Sequence, residues 1–327
     1  MNLYIDKENI ESFIANRSHG LYGDCIKTMQ KQLNTYFNFT KEELQSNEGL
    51  MAWFSFFTSG VGQNNKQIFN DEPFPVRPLK SNSYNTFTKE QLSSIYLIND
   101  DRLQILKDKG AVLIGAPGEE FDIFNQVLLF NDDYIFEKKL KIGSPEFNKW
   151  PDLQKYASAV SDILFVDSFI LSVADDIDNN FLPFLQSLVG KSRCKVNLVL
   201  YVNYDRVNIS YSDISSKVRH AIEAITGISP NFTLIKVRDQ RDVESCAEHD
   251  RTIFTNYTRV YSGDTYNYFR PDGSKKTKGR EIHFSSLANS ENHKLALELI
   301  NDIQKNLDEL PAEAAEGDKK SNFLNFK

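Results

Sequence analysis

The part of the chain after Pro151 alternates between strand-like and helix-like patterns, and this alternation limits the possible folds more than any other feature. Five segments are apolar and rich in residues that favour strands: 162–171, 195–201, 232–238, 251–257 and 280–284. Three segments carry apolar side chains at helical spacing: 181–190, 214–225 and 296–307. Strands that alternate with helices predict an α/β domain, with a mostly parallel sheet flanked by helices.

The first 150 residues favour helices. Four apolar or aromatic side chains recur at helical spacing: Ile26, Met29, Leu33 and Tyr36. Residues 40–43 have the sequence of a capping box, which marks a helix start. A chain of 327 residues is expected to form about two domains, at roughly 100–200 residues each. We therefore predict a helix-rich N-terminal domain over residues 1–150 and the α/β domain over residues 151–310.

The last residues, 311–327, are rich in charged and small side chains. Such a composition cannot bury enough apolar surface to offset the entropy of ordering, so it predicts a disordered tail. The end of the tail, Phe323–Phe326, is apolar, and the alternative is a peptide that docks on a protein partner.

The overall composition excludes several classes of protein. The chain carries 45 acidic and 38 basic residues, and its net charge of −7 excludes a protein that is basic over its whole surface. It has no apolar run near the ~18 residues of a membrane span and no signal-peptide core, so we expect a cytoplasmic protein without a membrane partner. Its three cysteines and five histidines lack the spacing of a disulfide framework or a zinc site, so we expect no metal and no cofactor.

A short motif near residue 250 carries the residues best suited to chemistry. His249 and Arg251 lie at the start of a predicted strand, and Gly263 lies in a turn after it. This pattern resembles the signature of the phospholipase D-like superfamily, His-x-Lys-x4-Asp-x6-Gly-Ser-x-Asn, and the similar region covers about residues 160–285. The resemblance gives His249 the position of the nucleophile, Arg251 that of the lysine and Asn256 that of the aspartate.

The departures from the signature decide what the resemblance implies. A neutral Asn256 cannot stabilise an imidazolium by charge, and Asp264 and Tyr266 replace the Ser and Asn. Enzymes of the superfamily use two histidines, one to attack phosphorus and one to protonate the leaving oxygen, and this chain has one motif. The resemblance therefore implies a degenerate half that binds phosphodiesters, as in some bacterial mobile-element or defence proteins. The alternative is a metal-independent phosphodiesterase, a nuclease, in which a homodimer pairs two copies of His249.

Two acidic residues are predicted to support the motif. Asp167 lies within an apolar strand, where an unpaired carboxylate is costly to bury, so we predict that it faces the same sheet end as His249 and pairs with Arg251. Asp250 lies directly between His249 and Arg251. The alternative is purely structural: His249 and Asp250 cap the strand, and Arg251 pairs with an internal acid.

The segment from Arg251 to Arg280 is basic and aromatic within an acidic protein. It carries seven basic and two acidic residues, a net charge of +5. The predicted phosphate-binding residues are Arg251, Asn256, Arg259, Lys275, Lys276, Lys278 and Arg280. The predicted base-stacking residues are Tyr257, Tyr261, Tyr266 and Tyr268. Cations that hold phosphates beside rings that stack on bases predict nucleic-acid binding, with residues 271–279 as a hairpin or loop. The alternatives are a solvated loop and a protein scaffold that binds no nucleic acid.

Overall fold

The computed structural model describes residues 1–15, 33–58, 67–68, 94–97, 136–237, 251–276 and 280–327. The chain divides into two compact units. The N-terminal unit comprises residues 1–134 with 288–290, and the C-terminal unit comprises residues 135–287 with 291–327. The C-terminal unit begins before the predicted boundary at residue 150, because a strand at residues 137–141 joins its sheet.

The described part of the N-terminal unit contains a four-stranded parallel sheet in the order β3-β2-β1-β4. Its strands are β1 (Asn2–Ile5), β2 (Asn34–Phe37), β3 (Gln67–Ile68) and β4 (Ile95–Leu97). Its helices are α1 (Lys7–Ala15), α2 (Lys41–Gln45) and α3 (Glu48–Thr58). The capping box is confirmed: Glu43 N donates to Thr40 Oγ1 at 3.1 Å, and Thr40 N donates to Glu43 Oε2 at 2.8 Å.

The parallel sheet differs from the helical pattern predicted for this region, since Tyr36 lies in β2. The ring of Tyr4 on β1 stacks on Tyr36 at 4.8 Å and on Tyr96 of β4 at 4.9 Å. Directly opposed side chains on neighbouring strands pack in this way and stabilise the pairing. A four-residue strand is too short for periodicity to distinguish it from a helical turn, so the local pattern was ambiguous.

The C-terminal unit is built on an eight-stranded sheet in the order β12-β8-β7-β6-β9-β10-β11-β5. Its strands are β5 (Glu137–Lys141), β6 (Asp162–Val166), β7 (Asn197–Asn203), β8 (Asn231–Val237), β9 (Arg251–Thr255), β10 (Thr258–Ser262), β11 (Glu281–Ser286) and β12 (Ala315–Gly317). Its main helices are α4 (Leu182–Val189), α5 (Tyr211–Thr226) and α6 (Ser290–Glu309). These elements confirm the predicted α/β pattern of strands and helices. Among the described residues, no helix combines the length and the apolar composition needed to cross a bilayer.

The large sheet is mixed, so the prediction of a mostly parallel sheet is wrong for this unit. Strands β6, β7 and β8 run parallel, and the other five pairs of neighbouring strands are antiparallel. β9 ends at Thr255 and β10 begins at Thr258, and so short a connection can join only antiparallel strands. The antiparallel pairing of β9 with β10 follows from this hairpin.

The C-terminal residues are ordered, in contrast to the predicted disordered tail. β12 pairs antiparallel with β8, and the side chains of Phe323 and Leu324 are buried. Asn322 donates from its backbone N to Asp162 Oδ1 at 2.9 Å and from Nδ2 to Asp162 Oδ2 at 2.6 Å. The tail is held by partners far away in the sequence, which its composition does not reveal.

Candidate functional site at one edge of the large sheet

Strand directions bring residues from four strands to one edge of the large sheet. The parallel strands β6, β7 and β8 end at this edge, and β9 begins there because it is antiparallel to β6. Val166 is paired with Thr252, so Asp167 and Arg251 lie at adjoining strand ends. In open α/β sheets, ligands bind beyond the carboxyl ends of the parallel strands. We call this edge, formed by residues 167–169, residues 204–206 and Arg251, the carboxyl edge.

Asp167 is a buried carboxylate at the carboxyl edge. Its Oδ1 accepts hydrogen bonds from Phe169 N at 2.8 Å and from Thr265 Oγ1 at 3.2 Å, and its Oδ2 accepts one from Tyr266 N at 3.3 Å. Burial raises the pKa of Asp167 to about 6, although these hydrogen bonds and the nearby charge of Arg251 act to lower it. The carboxylate therefore ties the turn after β10 to the end of β6, within reach of Arg251.

Two arginine side chains lie over the ring of Phe169 at the carboxyl edge. The Cζ atom of Arg206 is 5.3 Å from the ring centroid, and that of Arg251 is 5.4 Å from it. The two guanidinium groups are therefore less than about 11 Å apart. Arg206 is exposed, and Arg251 and Phe169 are half-buried. A ring attracts a guanidinium group without neutralising its charge, so the contact with Phe169 leaves both positive charges in place.

Sequence analysis did not identify Arg206 or Phe169 as site residues. Phe169 lies in the apolar run predicted as one long strand, but β6 ends at Val166 and Phe169 belongs to the turn beyond it. Arg206 ends the short turn Tyr204–Arg206, directly after β7. The positions of Phe169 and Arg206 just after predicted parallel strands could have indicated them, because such residues lie at the edge of the sheet where ligands bind.

Two predicted phosphate-binding cations form ion pairs within the chain. Arg280 Nε lies 3.0 Å from Asp264 Oδ2, and Arg280 also donates to Asn267 Oδ1 at 3.0 Å. Lys276 forms an ion pair with Asp176, which is buried. Their positive charge is largely offset by these carboxylates, so the net charge of the segment overstates the charge it presents.

Arg259 is also engaged inside the protein. It is 7% exposed, its Nε donates to Thr252 Oγ1 at 3.2 Å, and its guanidinium lies 4.7 Å from the ring of Tyr261. Tyr261 is half-buried and its ring stacks on that of His283 at 4.6 Å. Burial removes Arg259 from the predicted phosphate-binding set, since a phosphate cannot reach it.

The predicted hairpin within the basic segment is present. Phe269 and Lys275 form an antiparallel bridge, and Gly273 adopts a left-handed φ of 77° in the turn between them. Buried Asn180 holds this hairpin, because its Oδ1 accepts from Phe269 N at 2.8 Å and its Nδ2 donates to Phe269 O at 2.9 Å. Lys275 is half-buried in the hairpin, and the exposed Arg270 donates to Lys275 O at 3.1 Å.

Asn256 is a structural residue at the opposite end of the sheet, which corrects its predicted role at a phosphate. Its side chain is fully buried after the last residue of β9. Asn256 Oδ1 accepts from Ser161 N at 2.8 Å and from Asp162 N at 3.1 Å, and Nδ2 donates to Ser161 Oγ at 3.0 Å. At about 3.3 Å per strand residue, Asn256 lies roughly 17 Å from Arg251 along β9.

Three of the four predicted base-stacking rings lie in the core. Tyr257, Tyr266 and Tyr268 are each 0% exposed. The hydroxyl of Tyr266 donates to Arg251 O at 2.8 Å, and the ring of Tyr268 stacks on Trp150 at 5.3 Å. A ring enclosed in this way cannot stack on a base, so the prediction is wrong for these three residues. These three rings lie outside the strands, in the turns before and after β10.

The remaining predicted residues divide by position. His249, Asp250 and Lys278 lie outside the described residues. Gly263 is exposed in the turn after β10, next to Asp264. Within the described ranges, no group of three or more His, Cys, Asp or Glu side chains is arranged to hold a metal ion.

Comparisons with known proteins give one structural match. No family model and no curated protein matches the chain. A crystal structure of Nuc, a phospholipase D family member from Salmonella typhimurium, matches with 11% sequence identity and a TM-score of 0.31, over 56% of this chain and 99% of that chain. At this identity and TM-score, the match assigns neither a fold nor an activity to the chain.

Proposed function

We propose that the C-terminal unit binds the phosphodiester groups of nucleic acid at the carboxyl edge, with Arg206 and Arg251 as phosphate ligands. The observation that carries the proposal is the pair of guanidinium groups at 5.3 and 5.4 Å from the ring of Phe169. A guanidinium group binds phosphate oxygens through a planar fork of donors, and stacking on a ring fixes the orientation of that fork.

The sequence motif supports a phosphodiester as the ligand. Arg251 stands at the position that the phospholipase D-like signature gives to lysine, the residue that holds phosphate oxygens. Arginine can hold a phosphate at least as well, and the turn after β7 supplies a second guanidinium at the same edge. The exposed carboxylate of Asp205, beside Arg206, acts against an anion and sets a limit on the affinity.

Nucleic-acid binding can be tested by fluorescence anisotropy with a labelled oligonucleotide at a series of salt concentrations. Arg206→Ala and Arg251→Ala should each raise Kd about tenfold and reduce the dependence of log Kd on log salt concentration by about one. Lys195→Ala is the matched control, because it removes the same charge from an exposed position two residues before β7, at the opposite edge of the sheet.

Comparison of the three variants distinguishes a local phosphate-binding site from attraction of the oligonucleotide by the overall charge of the protein. An equal loss of affinity in all three variants would show that the bound anion senses only overall charge. Absence of salt-dependent binding by the wild-type chain would exclude the proposed function and favour a scaffold that contacts proteins.

A phosphodiesterase is the second candidate, and the environment of Asp167 favours it. A buried carboxylate with a pKa of about 6, near a positive charge at a strand end, is typical of catalytic sites. In this mechanism His249 attacks phosphorus, forming a phospho-histidine as the leaving oxygen departs with a proton from a second histidine, and water then releases the phosphate.

This activity requires two copies of His249, so the specific rate of cleavage should rise with protein concentration as homodimers form. Cleavage of an activated phosphodiester in the presence of a chelator should be lost in His249→Ala. His220→Ala, a change at an exposed position of α5, is the control and should retain the activity. Undiminished cleavage in His249→Ala would exclude His249 as the nucleophile.

A further inference from the structure

An exposed aromatic side chain lies at the carboxyl edge beside the two arginines. Tyr204 begins the turn that ends at Arg206, and 46% of its surface is exposed. The Nζ atom of Lys236, the penultimate residue of β8, lies 5.9 Å from the centroid of the Tyr204 ring. Lys236 also forms an ion pair with Glu316. Tyrosine at such a position combines a large stacking surface with a low entropic cost of ordering.

The order of the strands arranges these residues in a row. Neighbouring strands follow the order β8-β7-β6-β9, and along it lie Lys236, the Tyr204–Arg206 turn, Phe169 and Arg251. Three spacings of about 4.8 Å between strands give the row a length of roughly 14 Å. We call it the cation–ring row. It runs across the strand ends, with cations and rings in alternation.

We infer that the ligand of this edge is single-stranded nucleic acid, which lies along the cation–ring row with one base stacked on Tyr204. The inference rests on the proposed function, since Arg206 and Arg251 hold the phosphates. Single strands expose the faces of their bases, whereas a duplex stacks its bases on one another and presents mainly phosphates and groove edges. An exposed ring next to two phosphate ligands therefore favours a single strand.

The same geometry predicts which sequences bind. Stacking uses the π-face that every base has, so the row should accept strands of different sequence with small differences in affinity. In this arrangement Arg206 and Arg251 bind phosphates, and contacts to phosphates carry no sequence information.

The test compares Tyr204→Ala, Tyr204→Phe and Val173→Ala with the wild-type chain. Val173 is the matched control, since it is an apolar side chain that is 51% exposed in the segment after β6. Affinities are measured for single-stranded DNA, single-stranded RNA and the corresponding duplex. A strand with 2-aminopurine reports stacking directly, because its fluorescence falls when the base stacks on a ring.

We expect the wild type to bind a single strand more tightly than the duplex. Tyr204→Ala should weaken single-strand binding about tenfold or more, abolish the quenching of 2-aminopurine and leave the salt dependence unchanged. Tyr204→Phe should keep both affinity and quenching, since it keeps the ring, and Val173→Ala should match the wild type.

Failure of this inference is distinct from failure of the proposed function. Tighter binding of duplex, or wild-type affinity and quenching in Tyr204→Ala, would overturn the inference and leave the phosphate site intact. Absence of binding to single strands and duplex alike would overturn both. Because Tyr204 is exposed, circular dichroism of Tyr204→Ala should match that of the wild type, and Tyr204→Phe gives a second test that keeps the packing.

Discussion

Replacing Asp167 by asparagine should change how the stability of the C-terminal unit depends on pH. The carboxyl group is buried at the carboxyl edge, and its pKa is raised by burial to about 6 from an ordinary value near 4. The folded protein therefore binds this proton more tightly than the unfolded chain does. Its stabilising effect is fully present below pH ~4 and is lost as the pH rises to about 6.

The size of the effect follows from the pKa. The pKa of Asp167 differs by about two units between the folded and the unfolded chain, which corresponds to about 3 kcal/mol at about 1.4 kcal/mol per unit. Between pH 4 and pH 7 the wild type should therefore lose about 2–3 kcal/mol of stability relative to Asp167→Asn. In Asp167→Asn, the amide Nδ2 would face Tyr266 N, and both are donors. The hydrogen bond from Tyr266 N would therefore be lost, which should lower the free energy of unfolding by about 1–3 kcal/mol. That cost is the same at every pH, so it does not affect the comparison of slopes.

Urea unfolding followed by tryptophan fluorescence measures this difference in the full chain. The chain has two tryptophans, and in a Trp53→Phe background the buried Trp150 reports on the C-terminal unit alone. Burial also raises the pKa of Asp162, but Asp162 is present in both proteins, so its contribution to the pH dependence cancels in the comparison. Asp205→Asn, in the exposed turn after β7, gives the baseline for a carboxylate-to-amide change at the surface. Parallel stability profiles for the wild type and Asp167→Asn from pH 4 to pH 7 would refute the reasoning.

Three further changes test contacts that the tertiary structure creates. Asn322→Ala removes the hydrogen bond from Asn322 Nδ2 to the buried Asp162, keeps the one from the backbone N, and should lower the free energy of unfolding by about 1–3 kcal/mol in urea; an unchanged midpoint would mean that this side chain does not hold the tail to the sheet. Asn256→Asp restores the acid of the motif, but it buries a charge beside Asp162 and removes a donor to Ser161. It should therefore lower the free energy of unfolding by about 3 kcal/mol without improving binding to an oligonucleotide. Tighter binding would contradict the assignment of Asn256 to the opposite edge. Gly227 ends α5 with a φ of 73°, and a Cβ atom there would meet open space. Gly227→Ala should therefore lower the free energy of unfolding by about 1 kcal/mol through backbone strain alone, measured by thermal unfolding. A stabilised variant would argue against the left-handed cap.

The predicted roles of Asn256 and of the three buried tyrosines are wrong for one reason: residues that are close in the sequence need not be close in the folded chain. Arg251 is the first residue of the five-residue strand β9 and Asn256 follows its last residue, so the two lie at opposite edges of the sheet. Three of the tyrosines pack into the core, and Arg259 is buried with them, so closeness in sequence did not place these rings and cations on one surface. Strand geometry alone could have separated Arg251 from Asn256.

The contacts that build the two ends of the large sheet join distant parts of the chain. Asp167 binds Thr265 from 98 residues away, and Asn322 binds Asp162 from 160 residues away. Arg206 reaches Phe169 only because β7 lies beside β6 in the sheet. No local pattern contains this information, since each pairing depends on the order and direction of the strands.

The sequence by itself identified five of the eight strands and the three main helices of the C-terminal unit, because burial leaves its mark on each segment independently, but it did not identify β5, β10 or β12. It also placed Arg251 at a strand start and Asp167 in an apolar setting. Only the tertiary structure decided that the sheet is mixed, that the tail forms an edge strand and that Arg206 and Tyr204 join Arg251. Strand order and direction are set by long-range pairing, and they alone determine which residues share the edge where a ligand can bind.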